Sequence, residues 1–359
     1  MTEIILGTKK GLFVLDGSAE SGFGVPTRAF PGEPVDYATR DPRTGRLYAA
    51  VTSPFYGPKI WYADGGEWQP ARGVALPGGA ECALVRIWVI TPGEEEGLLY
   101  AGGDPAVLFE SRDGGISWEL NKALWSQPTR DSWQPGGGGL CLHSIVPWPG
   151  DPSRLLVAVS AAGVWLTNDG GRSWRQGNRG LLARYLPEDA VDGNTALCVH
   201  HIERSPARPE RLFMQFHGGV YRSDDSGESW EDIGSGLVSD FGFPLAVDPA
   251  DPDRAFVIPL KADVDRVTPD GRVRVFETRD GGASWIALSD GLPQRHAYLT
   301  ILRLAFDAAG RDSELELYFG TTSGEVLGSA DGGESWFTVI SQLPPIYSVS
   351  AVSSAPSRR

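Results

Sequence analysis

Short apolar runs alternate with polar turns along the whole chain. Runs such as residues 11–15, 142–146, 163–167 and 212–217 are rich in Val, Leu and aromatic side chains, and Gly, Pro, Asp or Ser residues bound them. Short runs of this composition between turn residues predict β-strands. The chain also contains 46 Gly and 27 Pro residues, which suits many short strands joined by tight turns. The pattern therefore predicts an all-β fold.

A polar motif returns between these runs, with full copies at residues 111–118, 167–174, 223–230, 278–285 and 329–336 and a shortened copy at 62–68. Each copy follows one strand-like run and its Trp begins the next, so the motif predicts a hairpin loop. The Asp can accept hydrogen bonds from downstream amides, Gly supplies positive φ, and the Trp buries a large apolar area. We assign a structural role to Asp113, Trp118, Asp169, Trp174, Asp225, Trp230, Asp280, Trp285, Asp331 and Trp336.

The motif recurs with a period near 55 residues, which indicates a repeat fold. Its marker residues are Asp64, Asp113, Asp169, Asp225, Asp280 and Asp331, and one more interval reaches a degenerate first copy near Asp16. Each interval holds four strand-like runs; in the clearest, residues 142–146, 155–160 and 163–167 precede the motif and a fourth run begins at Trp174. Four-stranded units repeated radially form a β-propeller. We therefore predict a seven-bladed propeller that occupies residues 1–359 as a single domain.

The two ends of the chain together complete one blade. Residues 347–352 form an apolar run without a successor, and residues 3–7, 11–15 and 23–29 supply the other strands of a blade. A blade shared by both ends pairs the strand edges that an open ring would leave exposed. We therefore expect the N- and C-terminal strands to close the ring.

The repeated motif resembles the Asp-box, or BNR repeat, of sialidases, sortilin-type receptors and photosystem assembly factors. The resemblance covers nearly the whole chain and implies a propeller in which the boxes are structural and lie away from the functional site. For a sialidase it implies an arginine triad, a Tyr nucleophile with a Glu, and an Asp acid. The segment from Arg86 to Trp88 lacks the Pro of that family's Arg-Ile-Pro element, and the unit count exceeds that of most sialidases. Both differences argue against sialidase activity.

Charge and composition limit the expected partners and location. The net charge is −14 and the pI is near 4.8, with no basic run, so neither nucleic acid nor an anionic membrane surface is an expected partner. Cys82, Cys141 and Cys198 form an odd set without metal-ligand spacing, which does not favour a disulfide framework. No apolar segment is long enough for a signal peptide or a membrane span. We expect a soluble cytoplasmic protein in which Cys141 and Cys198 are buried.

All five histidines fall on one side of the predicted propeller. The direction of the strands places the connections between blades on the face opposite the Asp motifs, and three of these connections are long, at residues 121–140, 176–197 and 261–272. Long loops in compact folds are often functional. Alignment of the blades on their turn prolines makes Arg86, His143 and His200 equivalent, and Asp36 and Phe243 occupy the same position in other blades.

We expect a functional site where this face meets the propeller axis. Neutral imidazoles bind Zn, Mn or Fe, so His143, His200 and His217 are candidate ligands of a divalent metal ion. A carboxylate would complete the site, from Asp36, Asp131, Glu203 or Asp263. The catalytic candidates are His143, His200, Arg86 and Asp36, and the substrate-binding candidates are Arg303, His201, His296 and Asp263. In the alternative interpretation there is no functional site, and these polar side chains at strand ends form hydrogen bonds with the backbone of the loops.

Two classes of function fit this site. The first is an enzyme, a hydrolase or lyase that acts on a carbohydrate-like small molecule or glycan at the axial mouth. The second is a non-catalytic scaffold or assembly factor that binds a protein partner. Its contact residues would be Trp125, Arg130, Trp133 and Arg184 on the long loops, because Trp and Arg are enriched at interface hot spots.

Overall fold

The computed structural model describes residues 1–186, 196–262, 264–310 and 314–353, and these form seven antiparallel sheets. Blade 1 contains β1 (Thr2–Thr8), β2 (Gly11–Ser18), β3 (Gly22–Phe23) and β4 (Thr27–Ala29). Blade 2 contains β5 (Val35–Arg40), β6 (Leu47–Ser53), β7 (Gly57–Ala63) and β8 (Gln69–Pro70). Blade 3 contains β9 (Arg86–Pro92), β10 (Leu99–Asp104), β11 (Val107–Ser111) and β12 (Glu119–Leu120). Blade 4 contains β13 (Leu142–Trp148), β14 (Asp151–Val159), β15 (Gly163–Thr167) and β16 (Arg175–Gln176).

The remaining blades repeat this order. Blade 5 contains β17 (Val199–Arg204), β18 (Leu212–Phe216), β19 (Gly219–Ser223) and β20 (Glu231–Asp232). Blade 6 contains β21 (Gly242–Val247), β22 (Ala255–Pro259), β23 (Val275–Thr278) and β24 (Ile286–Leu288). Blade 7 contains β25 (Phe306–Ala309), β26 (Glu316–Gly320), β27 (Val326–Ser329) and β28 (Phe337–Ile340), and the last strand is β29 (Ile346–Ser353).

The sheets form a closed ring, which confirms the predicted seven-bladed propeller. Each innermost strand contacts the innermost strand of the next blade, in the order β5, β9, β13, β17, β21, β25, β29 and back to β5. The middle strands are buried on both faces because each sheet lies between two neighbours; β15 and β18 are buried along their whole lengths. Among the described residues, no helix is long and apolar enough to cross a membrane.

The chain ends close the ring in blade 1, as predicted. β29 is the innermost strand there and pairs antiparallel with β1, with Thr2 opposite Ser353 and Leu6 opposite Val349. The outer edge differs from the expected single strand. The predicted run at residues 23–29 is divided into β3 and β4, and both pair with β2.

The five full copies of the polar motif share one pattern of hydrogen bonds. In the copy at Asp280, Oδ1 accepts from the Ser284 backbone N–H at 2.9 Å, Oδ2 accepts from the Ser284 hydroxyl at 2.6 Å, and Oδ1 also accepts from the Thr278 hydroxyl at 2.8 Å. The hydroxyl and the N–H of Ser284 lower the pKa of Asp280 to about 2. The loop therefore fixes its own reversal with an ionised carboxylate.

The motif also joins neighbouring blades. The backbone N–H of Trp230 donates to the Arg179 carbonyl of the preceding connection at 2.9 Å, and its indole donates to the Gly177 carbonyl at 2.9 Å. Gly180 lies beside this contact at φ +90°, where an added Cβ would collide with the Trp230 carbonyl oxygen. Only glycine accommodates both the conformation and the close approach.

The long connection after blade 3 is folded onto the protein. It contains α1 (Lys122–Trp125), whose first turn is capped by the Asn121 side chain, and a 3-10 helix at Arg130–Ser132. The Arg130 guanidinium lies 4.0 Å from the Trp125 ring centroid and 5.3 Å from that of Trp133, and it donates to the Pro105 and Ala106 carbonyls. Trp133 is only 8% exposed. Trp133 is therefore not an exposed contact residue, because it packs within its own loop. Trp125 and Arg130 are half-buried and Arg184 is exposed, so their role as contact residues stays a prediction.

Candidate functional site

The innermost strands carry β-bulges close to their first residues. The pairing register skips Asp36 in β5, Trp88 in β9, His143 in β13, His200 in β17 and Tyr347 in β29. A bulge leaves one residue unpaired and turns its side chain in a new direction. The fold therefore presents a series of re-aimed side chains around one end of the axis.

The bulge in β9 shows that the sequence-based alignment of blade 3 with the other blades is wrong by two residues. The alignment predicted that Arg86 corresponds to His143 and His200, whereas the register places Trp88 at the bulge and pairs Arg86 with Asp104. The reason is that Pro92 is still paired within β9, while Pro149 lies in the turn beyond β13. The prolines are therefore not equivalent markers, and the error is two residues.

A cavity of about 190 Å³, here called the mouth cavity, opens among these positions. Its lining includes Asp36, Arg86, Trp88, Phe243, Arg303 and Tyr347. Three of the predicted site residues, Asp36, Arg86 and Arg303, are therefore brought together. The aromatic residues Trp88 and Tyr347 were not among the predicted site residues, and only the bulge position would have indicated them.

Arg303 is the most unusual charge in the mouth cavity. Its side chain is 8% exposed, and its Nη1 donates to the Ser160 hydroxyl at 3.0 Å. The guanidinium lies 5.1 Å from the Trp88 ring centroid and 5.7 Å from that of Phe243. Burial lowers the pKa of Arg303, yet arginine stays protonated in proteins. In the part of the chain that the structure describes, no carboxylate lies within ion-pair distance of this buried cation.

Asp36 also lines the mouth cavity, and its side chain is almost fully buried. Its Oδ2 accepts a hydrogen bond from the Thr52 hydroxyl at 2.5 Å, and its Oδ1 lies 3.3 Å from Nε of Arg86 without a hydrogen bond. Burial raises the pKa of Asp36, and the Arg86 charge and the Thr52 hydroxyl offset only part of this effect. A carboxyl group with a raised pKa is suited to donate a proton.

A second cavity of about 350 Å³, here called the channel cavity, is lined by innermost strands. It contains Tyr37, His201, Glu203 and Asp307. Burial raises the pKa of Asp307 to about 6, and burial followed by the Asp307 charge raises the pKa of Glu203 well above its ordinary value. Nε2 of His201 lies 3.4 Å from Oε1 of Glu203, and burial lowers the pKa of that imidazole to about 4. The channel cavity therefore holds acids that resist ionisation.

Replacement of Glu203 by Gln is expected to stabilise the protein at pH 8 and to leave it unchanged near pH 4. A carboxyl group with a raised folded pKa binds more protons in the folded state, so the free energy of unfolding falls as pH rises from about 4.5 through that pKa. We therefore expect the thermal midpoint of Glu203→Gln to exceed that of the unaltered protein at pH 8, by a margin that shrinks as the pH falls towards 4. Thermal midpoints between pH 4 and 8 measure it, with the exposed Glu81→Gln as control. A lower midpoint for Glu203→Gln at pH 8 would contradict the expectation.

The remaining predicted residues are distributed over several places. His143 is fully buried, and its ring nitrogens bond the Ser144 hydroxyl and the Val199 carbonyl at 2.9 Å each, so neither nitrogen faces a ligand. His201 lines the channel cavity, and His296 is exposed outside the lining of both cavities. Asp263 lies outside the described residues.

Two of the three predicted metal ligands lie together. The ring centroids of His200 and His217 are 5.3 Å apart, and the ligand atoms of these two residues and Cys198 all lie within 4.8 Å of one another. His143 is not a member of this group, because its ring nitrogens are engaged elsewhere. The group found in the structure therefore contains Cys198 where the sequence predicted His143. Cys198 lies beside His217 because the strands that carry them pair with each other.

Comparisons with known proteins support the propeller fold. No protein-family model matches the chain. A curated relative, the probable oligoxyloglucan-reducing end-specific xyloglucanase of Neosartorya fischeri, is 25% identical over 135 residues, which are 37% of this chain and 15% of the relative. The chain superposes on the GH74 xyloglucanase from Xanthomonas campestris with a TM-score of 0.60 at 16% identity, covering 94% of this chain and 46% of that chain. It superposes on YCF48 bound to D1 peptide with a TM-score of 0.50 at 14% identity, covering 84% of each chain.

Proposed function

We propose that this propeller binds a carboxylate-bearing, carbohydrate-like small molecule in the mouth cavity. The observation that carries the proposal is the buried guanidinium of Arg303, which has no carboxylate partner among the described residues. A buried cation without a counter-ion is costly, and an anionic ligand would offset that cost. Arginine also recognises carboxylates through paired, charge-assisted hydrogen bonds.

The walls of the mouth cavity favour a sugar-like ligand. Trp88, Phe243 and Tyr347 supply flat apolar faces beside the charged groups. Pockets for drug-sized ligands usually enclose about 300–1,000 Å³. A cavity of about 190 Å³ is smaller, which favours a single sugar ring with an acid group over a long oligosaccharide. The similarity to xyloglucanases supports a carbohydrate-like ligand.

The same cavity supports hydrolase or lyase chemistry on that ligand. Both reactions benefit from a proton donor at the leaving oxygen, and general acid catalysis of this kind contributes about 10²–10⁴-fold. Asp36 fits the donor role because it is 4% exposed and burial raises its pKa. Arg86, 3.3 Å from Asp36, would stabilise the carboxylate that remains after proton transfer.

The proposal predicts that acidic sugars bind and that Arg303 determines this binding. Titration calorimetry with glucuronate, galacturonate and N-acetylneuraminate, and with glucose and xylose as neutral controls, should detect only acidic ligands. Arg303→Gln is expected to weaken binding about 10- to 150-fold, since a hydrogen bond to a charged group contributes about 1.5–3 kcal/mol. Arg179→Gln is the matched control, because Arg179 is 75% exposed beside an Asp motif.

Three outcomes separate binding from catalysis. If Asp36→Asn binds an acidic sugar but forms product more slowly by at least tenfold, the enzyme assignment holds. If no product forms from acidic glycosides with the unaltered protein, the function reduces to binding. If Arg303→Gln binds as tightly as the unaltered protein, or if only short peptides bind, the proposed carbohydrate function is overturned and the protein-binding alternative takes its place.

A further inference from the structure

Three metal-ligating side chains converge at the end of one strand pair in blade 5. Cys198 directly precedes β17, His200 is the bulged residue of β17, and His217 directly follows β18. The His217 backbone N–H donates to the Cys198 carbonyl at 3.0 Å, so these two residues face each other across the ladder. The bulge then turns the His200 side chain toward them.

The same three positions exist in other blades and show that the geometry is a property of the fold. Ser160 donates its N–H to the Cys141 carbonyl in blade 4, and Leu260 does so to Phe241 in blade 6. In blade 2 the Thr52 backbone N–H donates to the Pro34 carbonyl, and the bulged Asp36 accepts a hydrogen bond from the Thr52 side chain near the end of β6. The corresponding sets are Pro34, Asp36 and Thr52 in blade 2, Cys141, His143 and Ser160 in blade 4, and Phe241, Phe243 and Leu260 in blade 6. Of these four blades, only blade 5 carries three metal-ligating side chains together, one Cys and two His.

His200 is oriented as a metal-binding histidine is. Its Nδ1 lies 2.5 Å from the Gly242 carbonyl oxygen, so Nδ1 carries the proton and Nε2 keeps its lone pair. A backbone carbonyl that accepts from the second ring nitrogen fixes the tautomer and raises ligand basicity in metal sites. The equivalent His143 uses both ring nitrogens in hydrogen bonds, which separates the two positions chemically.

Aromatic rings enclose the cluster, and its ligand types indicate which metal ions suit it. Phe241 and Phe243 pack against His200 with ring centroids 5.3 and 4.6 Å away, and Tyr185 packs against His217 at 4.4 Å. A thiolate with two imidazoles suits zinc, whereas magnesium and calcium prefer oxygen ligands. Cys198 and His217 are partly exposed, which leaves one side of the cluster accessible to solvent.

We propose that Cys198, His200 and His217 form a zinc site beside the mouth cavity. Zinc bonds of about 2.0–2.3 Å place tetrahedral ligand atoms roughly 3.3–3.8 Å apart. The three ligand atoms lie within 4.8 Å of one another. Side-chain rotations that move each ligand atom by about 1 Å would bring them to the tetrahedral spacing. Water occupies the fourth position, an arrangement that leaves the ion open to exchange or to a substrate. The site shares no ligand with the mouth cavity, and the proposal does not depend on the acidic-sugar function.

The test uses the full chain without an affinity tag in a Cys82→Ser background, because Cys82 is an exposed thiol. Competition against a chromophoric chelator is expected to show one equivalent of bound Zn²⁺. Cys198→Ser and His217→Gln are each expected to weaken the affinity for Zn²⁺ about 100-fold or more. Loss of a side chain that only hydrogen-bonds a ligand already weakens metal binding about 10–100-fold, and loss of a ligand should cost at least as much. Cys141→Ser is the matched control from blade 4, where affinity is expected to stay unchanged. Co²⁺ should give a thiolate charge-transfer band that Cys198→Ser removes.

Circular dichroism and thermal melting establish that each variant is folded. If Cys198→Ser does not fold, the Co²⁺ spectrum of His217→Gln decides the question, since its ligand-field bands should change or vanish. Failure of the unaltered protein to bind Zn²⁺ in stoichiometric amount would overturn the proposal. So would a thiolate band that survives Cys198→Ser, or an equal loss of affinity in Cys141→Ser. Acidic-sugar binding is expected to persist in His217→Gln, so failure here is distinguishable from failure of the mouth-cavity function.

Discussion

A chain that ends at Pro345 is expected not to fold. The missing strand, β29, is the innermost strand of blade 1, and it contributes the fully buried Ile346 and the 3% exposed Val349. Its loss exposes the edge of β1 and the buried Ile4 and Leu6. Each fully buried Leu, Ile or Val side chain contributes about 1.5–3 kcal/mol, and a whole domain is stable by about 5–15 kcal/mol. The combined loss is therefore comparable to the total stability.

The measurement is a thermal melt with dye binding to exposed apolar surface. The truncated chain is expected to bind the dye at low temperature and to show no cooperative transition. A synthetic peptide with the sequence of residues 346–353 is expected to restore a transition in trans, while a scrambled peptide of the same composition should not. A truncated chain that melts cooperatively within a few degrees of the full chain would show that β29 does not close the ring.

Replacement of Trp118 by Ala is expected to destabilise the protein by about 3–5 kcal/mol, the usual cost of truncating a buried Trp or Phe. Trp118 is 2% exposed and belongs to the apolar cluster between blades 2 and 3, with Tyr48 and Ile87. Its indole also donates to the Gly115 carbonyl at 3.0 Å. Urea denaturation followed by circular dichroism gives the free energy of unfolding directly.

The shortened motif supplies the matched control for Trp118. Trp68 ends that copy, is more exposed, and packs against Phe30 with ring centroids 4.9 Å apart. The Asp64 carboxylate bonds Arg46 at 2.6 and 2.7 Å in place of its own loop. Trp68→Ala is therefore expected to cost clearly less than Trp118→Ala. Equal losses for the two variants would mean that the motif's Trp is not what holds the loop to the ring.

The repeat made the fold predictable because each blade consists of the same four strands, and most blades carry the same polar motif at the same place. The spacing of Asp113, Asp169 and Asp225 determined the blade length, and the apolar runs between them determined the strand number. The closure of the ring followed from the missing strand at each end. The ends of the strands were less predictable. The sequence predicted that the second strand of blade 4 spans residues 155–160, whereas β14 already begins at Asp151.

The site was less predictable, because it depends on contacts between distant parts of the chain. The strand pattern does not show where an extra residue enters a strand, so Trp88 was missed in favour of Arg86. The contact of Arg303 with Ser160 joins residues 143 positions apart, which no local pattern reveals. Likewise, Cys198 meets His217 only because two strands end together. Alignment of the blades selected Asp36 and His200, and residue type selected Arg303; the structure places Asp36 and Arg303 in the lining of the mouth cavity and His200 beside Phe243.

The pairing of β1 with β29 also has a consequence for the order of events during synthesis. β1 is synthesised before the other strands of the propeller, yet its inner partner β29 follows about 340 residues later. At a translation rate of about 5–20 residues per second, this delay lasts about 20–70 s. Throughout that interval β1 has an open edge that can pair with any other nascent strand. Cellular factors that shield extended segments, or an early hairpin of β1 with β2, would therefore determine how much of the newly made chain reaches the native state.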